Sequence, residues 1–240
     1  MGKRLIQQRR GKGTPRYRAP SHRFKSDARY PRCSGDTIKG QVVGIVTDAA
    51  HSCPLMRILL DGTFEEILML APREVRVGQW IEIGSDARPV NGNVLQLKSI
   101  PEGTSIYNIE LLPGDGGKLV RTSGTSAYLV SHEGDKANIL LPSKKNIVVD
   151  GDSRATIGKV AGGGRVEKPF ARAGRKHHAK KAKGKLYPIT GGVHMNAIDH
   201  PFGGKASTIG KSTTVSRYAS PGRKVGHISA RQTGRKKGRK

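Results

Sequence analysis

Short runs of Val, Ile and Leu alternate with turn-forming residues through the middle of the chain, over residues 36–160. Short β-branched runs bounded by Gly, Pro, Asn and Asp are typical of β-strands, and no long window keeps the 3.6-residue apolar period of a helix. Turns such as Asp61-Gly62 and Asn91-Gly92 favour tight hairpins. The pattern predicts eleven strands: Ile38–Asp48, Leu55–Leu60, Phe64–Leu70, Trp80–Ile83, Val94–Ile100, Ile106–Leu112, Lys118–Arg121, Ala127–Ser131, Ala137–Leu141, Asn146–Val149 and Ala155–Val160.

A break at Pro101-Glu102-Gly103 divides these strands into a group of five and a group of five or six. Many short strands at this spacing indicate sandwiches or small barrels rather than βαβ units. The sequence therefore predicts an all-β fold with two small barrels in tandem. A single large sandwich is the alternative.

The chain after residue 160 has a different character. Ala161-Gly162-Gly163-Gly164-Arg165 opens a stretch with Gly or Pro every few residues and no strand-length apolar run. A short helix is predicted within Arg172–Lys185; Gly174 and Gly184 limit it, and its cationic face needs counter-charge. We expect Arg231–Lys240 to form a solvated or RNA-docked tail.

Charge is concentrated at the two ends of the chain. Residues 1–32 carry a balance of +10, residues 33–164 of −2 and residues 165–240 of +18, which accounts for the net charge of +26. Basic ends of this composition cannot bury enough apolar surface to offset their ordering entropy, so alone they should be extended or disordered. A polyphosphate backbone is the partner that best offsets such self-repulsion.

Several other classes of protein are disfavoured by the sequence. No stretch approaches eighteen apolar residues, and Met1–Ile6 is not followed by the apolar run of a secretory signal. Cys33 and Cys53 are too few for a disulfide framework and predict two reduced thiols. These observations predict a soluble intracellular protein.

The basic ends interleave Lys and Arg with Gly, Pro and the aromatic residues Tyr17, His22, Phe24 and Tyr30. Gly permits close approach to phosphate, Arg binds phosphate through two hydrogen bonds, and aromatic rings stack on unpaired bases. The sequence contains no helix-turn-helix, zinc-finger or basic-zipper pattern, and irregular basic ends suit a folded RNA better than a uniform duplex. RNA binding is therefore favoured, with DNA compaction as the competing class.

Motifs for catalysis and for metal binding are weak. Ile209-Gly210-Lys211-Ser212 resembles the end of a phosphate-binding loop, but Lys205 stands where the first glycine is required and no strand precedes it. His177 and His178 lie beside cations rather than carboxylates, which disfavours a zinc site. No cofactor is expected, and Mg²⁺ held by RNA phosphates would leave no sequence signature.

The most specific local motif is the loop Gly191–Gly204, which contains Asp199, His200, Pro201, Gly203 and Gly204. Asp199 is one of two acids in the basic C-terminal segment, and a carboxylate beside an imidazole can orient the ring or raise its pKa for proton transfer. The other interpretation is a Gly/Pro-rich loop whose polar side chains bind RNA or close their own turn.

The chain resembles one family over essentially its whole length. The similarity rests on several motifs in the same order, and the family is the universal large-subunit ribosomal protein called "L two", in its archaeal and eukaryotic form. The motifs are Gly11–Arg23, Pro101–Thr104, Leu112–Ser123, Ser131-His132, Leu141–Lys145, Arg154–Lys168, Asp199–Gly204 and Ser220–Gly226.

This resemblance implies an oligonucleotide-binding barrel at 34–100 and an SH3-like barrel at 101–168, between basic extensions at 1–33 and 169–240. It further implies a non-enzymatic protein that binds large-subunit rRNA near the peptidyl-transferase centre, contacts neighbouring ribosomal proteins and the small subunit, and supports subunit joining and tRNA placement in the cytoplasm. The candidate RNA contacts are Arg9, Arg10, Lys12, Arg16, Arg18, His22, Arg23, Arg165, Arg172, Arg175, Lys176, His177, Lys180, Lys181, Asn196, His200, Lys205, Arg217, Arg223 and Lys224.

Two positions in the loop depart from the family pattern. Lys205 follows Gly204 where the family commonly has a third glycine, and Ala197 stands where it commonly has proline. His200 occupies the place of the family's loop histidine, which we expect to be a functionally sensitive RNA contact rather than a catalyst.

Overall fold

The computed structural model describes residues 2–31, 37–205 and 212–231. Cys33, most of the Ile209–Ser212 motif and the tail beyond Arg231 lie outside the described residues. The chain divides into two compact units. The strand unit is Ser21–Ala171, and the basic unit combines Met1–Pro20 with Arg172–Lys240.

Ten β-strands form the strand unit, and the all-β prediction is confirmed. Two of the predicted strands, Leu55–Leu60 and Trp80–Ile83, have the predicted bounds, and most others differ by a few residues at one or both ends. The strands are β1 Ile38–Val46, β2 Leu55–Leu60, β3 Glu66–Leu70, β4 Trp80–Ile83, β5 Val94–Gln96, β6 Ser105–Tyr107, β7 Ala127–Glu133, β8 Lys136–Leu140, β9 Asn146–Asp150 and β10 Arg154–Ile157.

The ten strands follow the order β3-β2-β1-β4-β5-β10-β6-β7-β8-β9. All pairs are antiparallel except β4 with β5. The last strand of this sheet in chain order, β10, therefore lies between β5 and β6 and joins the two predicted groups of strands. This long-range pairing is one that local sequence patterns do not report.

Two large cores form among these strands, with a smaller third cluster that includes Leu70 of β3 and Tyr107 of β6. One large core gathers side chains of β1 to β4 such as Met56 and Ile81, and the other gathers side chains of the later strands such as Leu129 and Ile139. Two cores agree with two small barrels better than with one large sandwich. The boundaries at 33/34, 100/101 and 168/169 stay a prediction.

The predicted strand Lys118–Arg121 is wrong, and the predicted strand Ile106–Leu112 ends at Tyr107. Asn108 and Val120 adopt φ of 50° and 52°, which takes the backbone out of the extended region. A single bridge between Ile109 and Leu119 remains.

A buried carboxylate organises this irregular segment. Glu110 is fully buried and accepts hydrogen bonds from the backbone N–H groups of Gly114 and Gly116. It also accepts from the backbone N–H and the guanidinium of Arg154, with Nη2–Oε1 at 2.8 Å. The glycine-rich motif at 112–117 thus wraps around Glu110, so part of the family-like sequence has a structural purpose.

The expectation that Tyr30 offers an exposed stacking face is wrong. Its side chain is buried, its hydroxyl donates to the Asn108 carbonyl oxygen at 2.6 Å, and the Arg154 guanidinium lies 5.2 Å from its ring centroid. Burial raises the pKa of Tyr30. Tyr30 is therefore a core residue of the strand unit.

The described residues of the basic unit form two short α-helices and a small parallel strand pair. Helix α1 is Ile6–Gly11, α2 is Ala173–Lys181, and β11 Thr214–Val215 pairs with β12 His227–Ile228. The helix predicted within Arg172–Lys185 is confirmed in a shorter form, whereas α1 and the strand pair were not predicted. In the described part of the chain, no helix has the length and apolar character needed to cross a bilayer.

Candidate nucleic-acid interface

Positive charge is concentrated in the basic unit. Its sequence holds twenty-five Lys and Arg residues and one acid, Asp199, whereas the strand unit holds nineteen and seventeen. Oppositely charged side chains of the strand unit form ion pairs such as Arg88–Glu82 and Lys98–Asp152. Most cations of the basic unit cannot be neutralised in this way.

The predicted RNA contacts all lie at the surface. Lys176, Lys180 and His200 are half-buried, and the others are exposed. His22, Arg23 and Arg165 belong to the strand unit and the remainder to the basic unit. The exposed residues are Arg9, Arg10, Lys12, Arg16, Arg18, His22, Arg23, Arg165, Arg172, Arg175, His177, Lys181, Asn196, Lys205, Arg217, Arg223 and Lys224.

One group of these cations converges on a cavity of about 230 Å³ in the basic unit. Arg16, Arg18 and Lys181 line it together with Lys185, which was not among the predicted contacts. The backbone at Gly184 lies so close to that of Arg18 that a Cβ there would meet its carbonyl carbon at 2.6 Å. This packing brings cations from distant parts of the sequence together, as a phosphate site requires.

Helix α2 carries cations on a surface with no buried residue and no acid in its first turn. Lys176 Nζ lies 5.3 Å from the centroid of the Tyr187 ring, a cation–π contact. The rings of His177 and His178 pack edge to face at 5.4 Å. Among the described residues no cluster of His, Cys, Asp or Glu could hold a metal ion.

Asp199, the acidic residue of the loop, forms an ion pair with Lys3 near the start of the chain. Lys3 Nζ lies 3.3 Å from Asp199 Oδ1, and the Lys3 backbone N–H donates to the Ile198 carbonyl oxygen at 2.7 Å. These two contacts hold the N-terminal segment against the loop. The interpretation in which Asp199 orients the His200 ring is therefore corrected, because the Asp199 carboxylate forms its ion pair with Lys3.

His200 receives its orientation from Phe202 instead. The Phe202 backbone N–H donates to His200 Nδ1 at 3.0 Å, and the two rings pack edge to face at 5.1 Å. With Nδ1 as acceptor, the neutral ring carries its proton on Nε2. Burial lowers the pKa of His200 rather than raising it. The neutral form is thus favoured, contrary to the expectation for a carboxylate-assisted proton relay.

The loop is closed by backbone hydrogen bonds and depends on two glycines. Gly204 N–H donates to the Met195 carbonyl oxygen at 3.1 Å, and Gly203 N–H donates to that of His200 at 2.9 Å. A Cβ on Gly203 would lie 2.4 Å from the Met195 carbonyl oxygen, and a Cβ on Gly192 would lie 2.3 Å from the His200 ring. Gly203 is buried, Pro201 and Lys205 are exposed, and the turn forms with Ala197 in place of proline.

Comparisons with known proteins identify a family and close sequence relatives of this chain. A family model described as "Ribosomal Proteins L2, C-terminal domain" matches residues 90–223. The large ribosomal subunit protein uL2 of Methanothermobacter thermautotrophicus is 52% identical over 99% of this chain and its own full length. The uL2 proteins of Methanococcus maripaludis and Methanococcus vannielii are each 50% identical over 98% of this chain and their own full lengths.

The chain belongs to the uL2 family. The resemblance inferred from the sequence motifs is confirmed, including its archaeal type, since these relatives are archaeal. As a member of a family of ribosomal proteins, the chain is a structural protein and not an enzyme.

Three residues that were not among the predicted contacts also belong to the candidate nucleic-acid interface. Lys185 completes the cationic cavity, Phe202 positions His200, and Tyr218 is 93% exposed. The position of Phe202 inside the loop motif was a signal for its role. The proximity of Lys185 to Arg16 depends on tertiary packing and has no local signature.

Proposed function

We propose that this protein is a structural constituent of the large ribosomal subunit that binds large-subunit rRNA near the peptidyl-transferase centre. In this role it supports subunit association and tRNA placement without catalysing a reaction. Its partners are the rRNA, neighbouring ribosomal proteins and the small subunit at the interface, and its location is the ribosome in the cytoplasm. Any Mg²⁺ is shared with rRNA phosphates.

The observation that carries the proposal is the division of charge between the two units. An acid-poor unit with twenty-five cations needs an external polyanion, while the near-neutral strand unit folds around its own cores. In this proposal the barrels at 34–100 and 101–168 are fixed docking surfaces. The extensions at 1–33 and 169–240 neutralise phosphates between rRNA helices.

RNA is favoured over DNA by the form of the basic surface. The cations of the basic unit lie on two short helices and on irregular loops, with Arg16 and Lys181 around a cavity rather than along one face of a long helix. Such a surface suits the loops and varied grooves of folded RNA. The relatives' name, large ribosomal subunit protein, points to the same partner.

Sedimentation of large subunits at increasing salt tests the proposal. The native protein should co-sediment with the subunit and leave it only at high salt, because phosphate contacts release counterions. Retention on structured rRNA should exceed retention on duplex DNA at matched salt. Equal retention on both, or release at low salt, contradicts the proposal.

His200 has a structural role in this proposal. His200→Gln keeps an acceptor for the Phe202 N–H while removing the titrating ring. Large subunits that carry this variant should form peptide bonds at a modestly changed rate. A large fall in that rate would restore the proton-transfer interpretation.

A further inference from the structure

A surface cleft of about 640 Å³ lies beside the His200 loop in the basic unit. Phe202, Val215, Ala219 and Val225 supply apolar side chains to its lining, and Val225 is only 6% exposed. Phe202 is fixed from both sides, since it packs on the His200 ring and a Cβ on Gly226 would lie 3.0 Å from its Cζ. The cleft is thus continuous with the loop that holds His200.

An aromatic ring and a cation also line this cleft. Tyr218 is 93% exposed, so its ring lies almost wholly in solvent. Its backbone is fixed by a turn in which the Tyr218 N–H donates to Ser216 Oγ at 3.2 Å and the Ala219 N–H donates to the Ser216 carbonyl oxygen at 3.2 Å. The turn therefore fixes the backbone from which the tyrosine projects, and the surface of the ring is not used for packing.

Arg223 supplies the charge. Its backbone N–H donates to the Ser220 carbonyl oxygen at 2.9 Å, which fixes the turn that carries it. Its guanidinium has no ion-pair partner among the described residues, and Asp199, the one acid of this unit, is paired with Lys3. An anion from outside the chain is the partner that this guanidinium lacks.

We propose that this cleft binds one unpaired nucleotide of the rRNA, with the base stacked on Tyr218 and its phosphate held by Arg223. An exposed aromatic ring, an apolar lining and a cation are the three elements that proteins use to bind unpaired bases. The strongly basic surroundings favour RNA over an apolar side chain of a neighbouring protein. This proposal rests on the proposed function and extends it by assigning an unpaired-base site next to the His200 loop.

Fluorescence anisotropy with a labelled mixed-sequence single-stranded RNA of about twenty nucleotides, measured with the full-length chain at several KCl concentrations, tests the site. Tyr218→Ala should weaken binding roughly 5- to 150-fold, the range found when a stacking aromatic is removed. The slope of log K against log salt should not change, because tyrosine is uncharged. Tyr218→Phe keeps the aromatic face and should bind as wild type does, whereas Tyr218→Leu, the matched control, keeps a large apolar side chain without that face and should bind as weakly as Tyr218→Ala.

Arg223→Gln should change the salt dependence instead. Loss of one phosphate contact on a single strand should make the slope shallower by about 0.7. Cross-linking of RNA substituted with 4-thiouridine should label the peptide that contains Tyr218.

Any of three results with the variants and the cross-link overturns the proposal: Tyr218→Ala within twofold of wild type, Tyr218→Leu binding as tightly as Tyr218→Phe, or no cross-link at Tyr218. The first would assign the cleft to a protein neighbour. If the wild-type chain binds structured rRNA but not the single strand, the base site fails and the proposed function stands. If it binds neither, the proposed function fails as well.

Discussion

The cationic cavity around Arg16, Arg18, Lys181 and Lys185 makes a quantitative prediction about salt dependence. Replacing all four by Gln removes four charges at one place while keeping side chains of similar polarity. All four side chains are exposed, and none has a carboxylate partner among the described residues. We therefore expect the change to act on RNA binding rather than on folding.

The magnitude follows from counterion release. Each neutralised phosphate contributes about 0.9 to the slope of log K against log salt on a B-form duplex and about 0.7 on a single strand. Four contacts therefore contribute roughly 2.8 to 3.6. Between 50 and 200 mM salt, the ratio of wild-type to variant affinity should consequently shrink by roughly 50- to 150-fold. Filter binding of a large-subunit rRNA fragment at four or more salt concentrations measures this ratio directly.

A charge-matched control separates local contacts from overall charge. Lys118, Lys136, Lys144 and Lys145 are exposed lysines of the strand unit that lie outside the candidate contacts, and replacing them by Gln lowers the net charge by the same amount. The slope of this control should change much less. Equal slopes for the cavity variant and the wild type, or equal changes in both variants, would refute a phosphate site at the cavity.

Three further predictions concern the strand unit and the loop. Glu110→Ala should lower the free energy of unfolding by about 3–5 kcal/mol in urea melts, because it leaves the Arg154 guanidinium buried without its carboxylate; a loss below about 1 kcal/mol would contradict the role of this pair. Because burial lowers the pKa of His200, protonation favours the unfolded state. The contribution of His200 to the free energy of unfolding should therefore be complete above about pH 6.5, decline as the pH falls below that value, and level off below the pKa of the folded state. An NMR titration of His200 with a midpoint at or above about 6.5 would contradict this direction. Gly203→Ala should open the loop to protease, since its Cβ would overlap the Met195 carbonyl oxygen, whereas Gly191→Ala, whose nearest neighbour would be 3.6 Å away, should not.

The strands were predictable where they carried their own signal. Leu55–Leu60 is an apolar run interrupted only by Arg57, and its bounds in the structure are those predicted. The error at Lys118–Arg121 has a local cause, because Val120 adopts a φ of 52°. A positive φ is not expected of a β-branched residue, so the sequence gives no sign of it. Helix α1 spans six residues, four of them Gln or Arg, which are too few for an amphipathic period to be recognised.

The charge of the candidate interface could be inferred from sequence, but its geometry could not. Composition alone located the cations, and each described candidate contact is at the surface or half-buried. The suggested pairing of Asp199 with His200 was wrong. It rested on their adjacency in the sequence, whereas the turn brings the His200 ring to the backbone N–H of Phe202. Contacts such as Lys3 with Asp199 join residues nearly two hundred positions apart and have no local signature.

Asp199 shows why a loop can be sensitive without performing chemistry. Its ion pair with Lys3 is partly exposed, so the pair by itself contributes little to stability, typically 0–1 kcal/mol. Its value lies in position, because the same segment also donates a backbone hydrogen bond to Ile198 and so holds the start of the chain against the loop. Since this one acid of the basic unit pairs internally with a single lysine, no other side-chain carboxylate there competes with phosphate for the remaining cations. A change at Asp199 should therefore loosen the N-terminal segment against the loop while leaving the backbone hydrogen bond from Lys3 to Ile198 in place, an effect on structure that involves no chemical step.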